Sequence, residues 1–272
     1  MKIAQFYDKG HIRLGLIDAG GLTPLDFQGG MIDFIKGRPE PKPSGEAIAI
    51  DNVKFAPPIN NPSKIVAIGL NYADHIRESK GETPASPIIF AKFPNSLIGH
   101  HDVINWDANL TEKVDFEAEL AVVVGKMIYK CPETDAMDAV FGYTCANDVS
   151  ARDLQFADGQ WVRGKSLDTF CPLGPWIVTP DEIGDPHALG IRCVLNGKTM
   201  QESTTSMMIF KLPELIAFIS TSFTLVPGDV ILTGTPHGVG AFREPPVYLK
   251  DGDKVVVEIE KVGRLTNICR PH

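Results

Sequence analysis

The stretch from Val114 to Gly125 alternates between apolar and acidic residues before it becomes apolar throughout. Its even positions are all apolar, whereas its first three odd positions carry Asp115, Glu117 and Glu119. Because successive side chains of a β-strand point to opposite faces, a single strand would place these three carboxylates on one face. Like charges at the edge of an apolar core are costly unless a cation or protons lie among them. The pattern therefore predicts a strand that carries a metal site.

Another acid follows the next apolar run. Residues 140–146 predict a buried strand, and Asp148 lies two residues beyond its end. Carboxylate ligands suit Mg²⁺ or Mn²⁺, with Ca²⁺ a further fit in a crystal, better than they suit zinc. We therefore expect Glu117, Glu119 and Asp148 to bind one divalent cation, with Asp115 outside the ligand set as a supporting or surface acid. The alternative is a solvated acidic face on an edge strand.

Elsewhere the sequence predicts many strands and few helices. Helices are expected at 24–36 and 213–222, with a short helix or ordered loop at 71–80. Asn196-Gly197 favours a type I′ hairpin turn between two strands. A doubly wound sheet is disfavoured because strands and helices do not alternate regularly, so the fold class is mainly β, a β-rich α+β sandwich or roll. Further strands are predicted at 2–7, 11–17, 64–70, 87–92, 191–195, 199–202, 229–232, 246–249 and 254–261.

Proline and glycine divide the chain near residue 60. Residues 37–45, GRPEPKPSG, favour neither a helix nor a strand ladder, and further prolines at 57, 58 and 62 provide a second break. We therefore predict a small N-terminal β-rich domain with its linker over residues 1–60. The main, catalytic domain is predicted over residues 61–272.

Charge and cysteine usage limit the partners and the compartment. A formal net charge of −8, from 26 basic and 34 acidic residues, disfavours nucleic acid or an anionic membrane as a partner. No apolar run approaches the roughly 18–20 residues of a membrane span, and no signal-peptide core follows Met1. The five cysteines are widely spaced and lack a Cys-x-x-Cys pair, which fits free thiols in a reducing compartment. We therefore expect a cytoplasmic protein.

Two segments after Asp148 carry candidates for binding an acidic substrate. Arg152 and Gln155 are three residues apart, so a helix would place them on one face, where the guanidinium can bind a carboxylate. A structural ion pair between Arg152 and Asp148 is the alternative. Further along, Lys165 beside a bound cation would stabilise an enolate as it forms, although on its own it would be read as a surface lysine.

A general base is predicted before the acidic strand. His75 and Glu78 are three residues apart, so on a helical turn the carboxylate can hold one tautomer of the imidazole. A base that activates water needs this arrangement, although a surface helix of mixed charge would look the same. The glycine-rich segment 234–240 lacks the Gly-x-x-x-x-Gly-Lys-Ser/Thr phosphate-binding pattern, so a nucleotide site is disfavoured.

Taken together, these segments resemble the fumarylacetoacetate hydrolase family over roughly residues 60 to 270. The resemblance implies a mixed β-sandwich roll, a homodimer, and Mg²⁺ or Mn²⁺ bound by the three predicted ligands. By motif match it also implies that five residues contact the substrate, namely Lys92, Arg152, Gln155, Lys165 and Thr235. The segments that carry the resemblance are Gly69–His75, Val114–Leu120, Asn147–Arg152, Arg163–Phe170 and Pro227–Gly240.

The reaction implied is hydrolytic cleavage of a C–C bond in a small 2,4-dioxo acid of the acylpyruvate or fumarylpyruvate type. His75, oriented by Glu78, would activate water, while the cation and Lys165 would stabilise the departing enolate. Oxaloacetate decarboxylation and isomerisation of a 2-hydroxymuconate-type dienol use the same enolate and stay open. A metal-stabilised binding protein without turnover is the alternative of another class. The short N-terminal segment argues against fumarylacetoacetate itself.

Overall fold

The computed structural model describes residues 1–272 and is built mainly of β-strands, as the sequence predicts. The strands are β1 (Lys2–Asp8), β2 (His11–Asp18), β3 (Gly21–Pro24), β4 (Ile65–Gly69), β5 (Ile88–Lys92), β6 (Leu97–Ile98), β7 (Val103–Trp106), β8 (Val114–Asp115), β9 (Ala118–Val124), β10 (Val140–Asn147), β11 (Ser150–Ala151), β12 (Cys171–Val178), β13 (Gly190–Leu195), β14 (Lys198–Thr204), β15 (Val230–Leu232), β16 (Lys254–Ile259) and β17 (Gly263–Pro271).

The helices are short and lie between these strands. Only the last exceeds seven residues, and none is both long enough and apolar enough to cross a membrane. They are α1 (Met31–Gly37), α2 (Ala73–Ser79), α3 (Glu133–Ala136), α4 (Arg152–Ala157), α5 (Val162–Lys165), α6 (Pro180–Ile183) and α7 (Leu212–Ser222).

Two mixed sheets form the framework. The larger has ten strands in the order β3-β2-β1-β12-β10-β9-β15-β4-β5, with β6 beside β12. The smaller has the order β14-β13-β16-β17-β7, and β8 pairs only with β11. Most neighbours are antiparallel, but three pairs are parallel, namely β4 with β15, β6 with β12 and β7 with β17. This arrangement confirms the predicted β-rich sandwich or roll.

Strand β9 lies inside the larger sheet with apolar side chains on both faces. Leu120 and Val122 pack into a core that also contains residues of the smaller sheet. Ala121 and Val123 pack into a second core, which Phe34 of α1 closes from the other face. A strand covered on both faces loses the alternation of polar and apolar residues. The position of β9 therefore explains why the acidic alternation stops after Glu119.

Several predicted elements are confirmed, and two are wrong. Asn196 and Gly197 have φ of 51° and 82°, which is the type I′ geometry predicted between β13 and β14. The helix predicted over 24–36 is wrong at its start, because Pro24 ends β3 and α1 begins only at Met31. Residues 246–249 form no strand, since the N–H of Val247 and that of Leu249 donate to different segments.

The first three strands extend the larger sheet. Strand β1 pairs with β2 on one side and with β12 on the other, where Lys2 faces Val178. A small separate core lies under these strands and includes Phe6 and Phe55. The predicted boundary between residues 60 and 61 stays a prediction, although the N-terminal strands share hydrogen bonds with the rest of the chain.

Candidate active site

The predicted strand over residues 114–124 is interrupted at Phe116 and Glu117, and this break shapes the acidic site. Strand β8 pairs with β11, whereas β9 pairs with β10. Between them, the N–H of Glu117 donates to Asn147 Oδ1 at 2.9 Å, and the N–H of Asp148 donates to the carbonyl of Glu117 at 2.9 Å. The break therefore brings Glu117 next to Asp148, which a continuous strand would not have done by alternation alone.

Glu117, Glu119 and Asp148 converge as predicted. One carboxylate oxygen from each lies within 4.8 Å of the other two, and all three side chains are buried. Burial, and then the charges of Asp148 and Glu117, raise the pKa of Glu119 well above its ordinary value. Burial also acts to raise the pKa of Glu117, but Lys165 and Arg152 outweigh it and hold that pKa at about 2.

Lys165 neutralises part of this cluster. Its Nζ donates to Glu117 Oε2 and to Asp148 Oδ2, each at 2.7 Å, and lies 5.3 Å from the ring centre of Phe90. The side chain is buried, so the alternative of a surface lysine is wrong. Burial alone would lower the pKa of Lys165, but the two carboxylates raise it. The lysine is therefore a fixed cation beside the acids.

Lys92 is a second buried cation, but it lies behind Asp148. Its Nζ donates to Asp148 Oδ1 at 2.6 Å, to the carbonyl of Val149 at 3.2 Å, and to the carbonyl of Lys165. These three acceptors use all the N–H groups of an ammonium. Lys92 therefore has no free donor for the substrate contact implied by the family resemblance, and we expect it to position Asp148.

Arg152 pairs with a different acid from the one considered in the sequence. Its Nε donates to Asp115 Oδ2 at 2.9 Å, and its Nη1 donates to Gln155 Oε1 at 3.0 Å across one helical turn. Its Nη2 lies 2.8 Å from Asp115 Oδ2 and 2.7 Å from Glu117 Oε1, so the guanidinium is ion-paired with both acids. The ion pair of Arg152 with Asp148 is therefore wrong, and Asp115 is a buried support and not a surface acid.

The predicted histidine–glutamate pair forms on helix α2. His75 Nδ1 lies 3.4 Å from Glu78 Oε2, and the imidazole is buried. Glu78 is itself held, because the N–H of Gly238 donates to both of its oxygens at 2.9 and 3.0 Å. With Nδ1–H directed at the carboxylate, Nε2 is the nitrogen left free to accept a proton.

The loop Gly234–Arg243 organises the site, a role that the sequence did not reveal. Its N–H groups donate to Glu119 from Gly234 at 2.7 Å, to Glu78 from Gly238, and to Asp115 from Gly240 at 2.7 Å. The missed signal was the spacing of its glycines, since Gly234 and Gly238 have φ of 100° and 96°. Such a backbone can present several N–H groups to anions without any phosphate-binding motif.

These groups surround one cavity of about 90 Å³. Thr235, predicted to contact the substrate, lies on its wall, where Gln201 Nε2 donates to the Thr235 hydroxyl at 2.8 Å. Lys92 is not among the residues that line it. Gln201 was also missed, and no local pattern marks it. The lining residues are Ile68, Gly69, Leu70, His75, Phe90, Glu117, Glu119, Arg152, Gln155, Phe156, Trp161, Lys165, Thr235 and Phe242.

The three acids fit a divalent cation. Their oxygens converge, and the raised pKa of Glu119 indicates that a proton or a metal ion must balance the excess negative charge. Oxygen-only ligand sets are typical of sites for hard cations such as Mg²⁺ and Mn²⁺. Glu117, Glu119 and Asp148 are therefore the residues that would hold the ion.

The known proteins that are similar to this chain include a tautomerase, a hydrolase and an isomerase. Over 218 residues the chain is 53% identical to a mitochondrial oxaloacetate tautomerase of Xenopus laevis, covering 79% of this chain and 68% of that protein. It is 37% identical to the fumarylacetoacetate hydrolase of Exiguobacterium antarcticum, with a TM-score of 0.92 over 100% of both chains. A 5-carboxymethyl-2-hydroxymuconate delta-isomerase of Mycobacterium smegmatis is 36% identical, with a TM-score of 0.85 over 100% of both chains.

The family model confirms the resemblance seen in the sequence. Residues 64–269 match the model described as the C-terminal part of fumarylacetoacetate (FAA) hydrolase. This match spans most of the chain and contains all ten predicted site residues. The chain therefore belongs to the fumarylacetoacetate hydrolase family.

Proposed function

We propose that this chain is a metal-dependent enzyme that interconverts the keto and enol forms of a small 2-oxo acid, with oxaloacetate as the leading substrate. The observation that carries the proposal is the pairing of a buried, carboxylate-held histidine with three convergent acids in one small cavity. A tautomerase needs a base that moves a proton and positive charge that stabilises the enolate oxygen. Both requirements are met by residues of this cavity.

His75 is the proton-transfer group in this proposal. Glu78 holds its Nδ1, so Nε2 accepts the proton from the carbon next to the 2-oxo group and then delivers it to the enolate oxygen, which gives the enol. The reverse transfer regenerates the keto form. The N–H of Gly238 fixes Glu78 in turn, which limits rotation of the imidazole. Phe242 lies 5.8 Å from the imidazole, ring centre to ring centre, and lines the same cavity.

The positive groups of the cavity bind and stabilise the acid. Arg152 and Gln155 line the cavity from the same helical turn, and the Arg152 guanidinium, held in place by Asp115 and Glu117, provides positive charge for a substrate carboxylate. Thr235 provides a hydroxyl on the same wall, and Lys165 provides an ammonium near the acids. A divalent cation held by Glu117, Glu119 and Asp148, when bound, supplies positive charge for the enolate oxygen.

The size of the cavity and the name of one relative favour a short substrate. A cavity of about 90 Å³ is smaller than the roughly 150 Å³ that admits benzene. A relative 53% identical to this chain is named for tautomerisation of oxaloacetate, a four-carbon acid. Isomerisation of a dienol diacid would use the same base, and the Mycobacterium smegmatis neighbour is named for such a reaction.

Hydrolytic cleavage of a 2,4-dioxo acid is the second candidate. It is favoured by the neighbour named fumarylacetoacetate hydrolase, which matches this chain over its full length. In that reaction His75 would take a proton from water, and Lys165 would stabilise the enolate that departs. Oxaloacetate decarboxylation needs only the stabilised enolate and stays a further alternative. The homodimer, the cytoplasmic location and the choice between Mg²⁺ and Mn²⁺ stay predictions.

The substitution His75→Ala tests the proposal. We expect Mg²⁺-loaded protein to accelerate the loss of the ultraviolet absorbance of enol-oxaloacetate, and His75→Ala to lower kcat by about 10²–10⁴-fold, the usual contribution of a general base. His11→Ala is the matched control, because His11 is exposed at the start of β2 and far along the chain from the site. Calorimetry should show unchanged Mg²⁺ affinity for both variants.

A substrate panel separates the candidates. Acetylpyruvate, a dienol diacid and oxaloacetate would be assayed for cleavage, isomerisation, decarboxylation and tautomerisation with the same protein. Cleavage of acetylpyruvate without acceleration of oxaloacetate tautomerisation would assign the chain to the hydrolytic reaction. Full activity of His75→Ala would overturn the role of the histidine, and no turnover of any acid would favour a binding protein.

A further inference from the structure

The cavity has an aromatic wall, and Trp161 is its largest member. The indole is half-buried and lines the cavity together with Phe90. The two rings meet edge to face, with centres 5.4 Å apart and planes inclined at 72°. Neither side chain takes part in the proton transfer, the metal site or the binding of the acid proposed above. The proposed chemistry therefore does not explain why this wall is present.

Gly69 provides the seat for the indole. A Cβ built on Gly69 would lie 2.4 Å from Cζ3 and 2.9 Å from Cη2 of Trp161, far inside contact distance. The three atoms nearest to that Cβ all belong to Trp161, and the φ of Gly69 is outside the left-handed region. The absence of a side chain at residue 69 is therefore explained by the position of the ring and not by the backbone conformation.

Gly69 and Trp161 are both close along the chain to proposed catalytic residues. Gly69 ends β4, four residues before helix α2 begins, and that helix carries His75. The carbonyl of Trp161 accepts the N–H of Lys165 at 3.0 Å, so one helical turn joins the indole to the ammonium. Short backbone segments therefore connect the aromatic wall to both proposed catalytic groups.

We propose that the indole of Trp161, seated on Gly69, sets the maximum length of the substrate. The cavity then accepts 2-oxo acids with a short group beyond the 2-oxo carbon and rejects longer or aromatic groups. The inference rests on the proposed function, since it concerns the same site. A difference of one methylene in an apolar pocket changes selectivity by about 10–200-fold, so an indole can set a sharp limit.

Trp161→Ala tests this limit through binding. Calorimetry in Mg²⁺ would compare oxalate, which has no group beyond the acid end, with 2-oxobutanoate and 2-oxohexanoate. We expect the wild type to bind 2-oxobutanoate at least about 10-fold more tightly than 2-oxohexanoate, and Trp161→Ala to remove or reverse that preference. Oxalate should bind equally to both proteins, and Trp161→Phe should keep most of the wild-type preference.

Gly69→Ala provides an independent test that does not remove the indole. The new methyl would push the ring into the cavity, so we expect 2-oxobutanoate to bind at least about 10-fold more weakly. In the double variant Gly69→Ala/Trp161→Ala the methyl has space, because its only close neighbours were indole atoms. Binding of 2-oxobutanoate should therefore return, and thermal unfolding would show that all variants fold.

The outcomes distinguish this inference from the proposed function. The same ratio of the two 2-oxo acids in the wild type and in Trp161→Ala would overturn the role of the indole. So would a loss in Gly69→Ala that the second substitution does not restore. A changed ratio in a protein that does not tautomerise oxaloacetate would overturn only the proposed function, and a lack of oxalate binding to folded protein would overturn both.

Discussion

Strand β9 and the loop Gly234–Arg243 hold the same acidic site in opposite ways. The strand and the residues just before it provide carboxylate side chains, among them Glu117 and Glu119. The loop provides no carboxylate, but its N–H groups donate to Glu119, Glu78 and Asp115. The strand region therefore supplies the carboxylates, and the loop orients them. The charged residues alone do not account for the geometry of the site.

The two regions also differ in what they demand of the sequence. The strand needs acids at set positions and apolar neighbours on both faces, which any reader of the sequence can see. The loop needs backbone that no side chain obstructs. Gly238 has φ of 96°, and a Cβ on Gly240 would lie 1.8 Å from the carbonyl oxygen of Val247. Hydrogen bonds from N–H groups to carboxylates are among the stronger ones in proteins, so the loop contributes substantially to the site.

Glu119→Gln tests the contribution of the strand, and we expect this substitution to have the largest effect. The amide removes a metal ligand, so Mg²⁺ affinity measured by calorimetry should fall by more than the roughly 100-fold that loss of a supporting residue costs. Without metal the variant should be as stable as the wild type or more stable, because the raised pKa of Glu119 shows that its charge is disfavoured there. Glu112→Gln, at an exposed position nearby, should change neither property.

Gly240→Ala tests the contribution of the loop, because it leaves every charged group in place. The methyl would collide with the carbonyl of Val247 and with Asp115 Oδ1, so the loop must shift and release Asp115. We expect a loss of about 2 kcal/mol in the free energy of unfolding and weaker activity. Gly37→Ala is the control, because its nearest neighbouring atom is 3.7 Å away at the end of α1. Equal stability of the two variants would contradict the role of the loop.

The pH dependence of stability tests the role of the cation. Burial, Asp148 and Glu117 raise the pKa of Glu119, so the folded metal-free protein keeps a proton that the unfolded chain releases above the ordinary carboxyl pKa. Its stability should therefore fall as pH rises, by at most about 1.4 kcal/mol per pH unit. Glu117, with a pKa of about 2, stays ionised above pH 6 and adds no slope.

A bound cation replaces the proton on Glu119, so the loaded protein should lack this slope. We therefore expect the difference in Tm between Mg²⁺ and EDTA samples to widen from about pH 6 to about pH 8. In Glu119→Gln the difference should be small at both pH values. A gap that narrows with rising pH in the wild type would contradict a metal site built around a protonated Glu119.

Local sequence patterns correctly predicted the elements that depend only on neighbouring residues. The hairpin at Asn196-Gly197 followed from turn chemistry, and α7 followed from its apolar periodicity and its first-turn proline. The start of α1 was predicted too early, because the pattern did not reveal that Pro24 completes β3. Residues 246–249 look like a strand, yet they lack a neighbour in either sheet. Pairing between distant segments decides such cases.

The same distinction applies to the site. The predicted contact between His75 and Glu78 needed only one helical turn, and it is present. The partner of Arg152 was misassigned because Asp115, 37 residues away, competes with the nearby Asp148. Lys92 lies behind Asp148 and not in the cavity, although its motif alone implied a substrate contact. Separation along the chain hides these pairs from sequence patterns.

The sequence by itself determined which chemical groups are present: the acids of the alternating strand, a histidine with its carboxylate, and a β-rich chain able to bury them. These features depend on spacing of a few residues, which strand and helix periodicity express directly. The tertiary structure alone decided which acid meets which cation, how the loop Gly234–Arg243 orients the carboxylates, and how the Trp161 indole lies against Gly69. Those contacts join segments far apart in the chain, and only the folded arrangement of strands, short helices and loops brings them together.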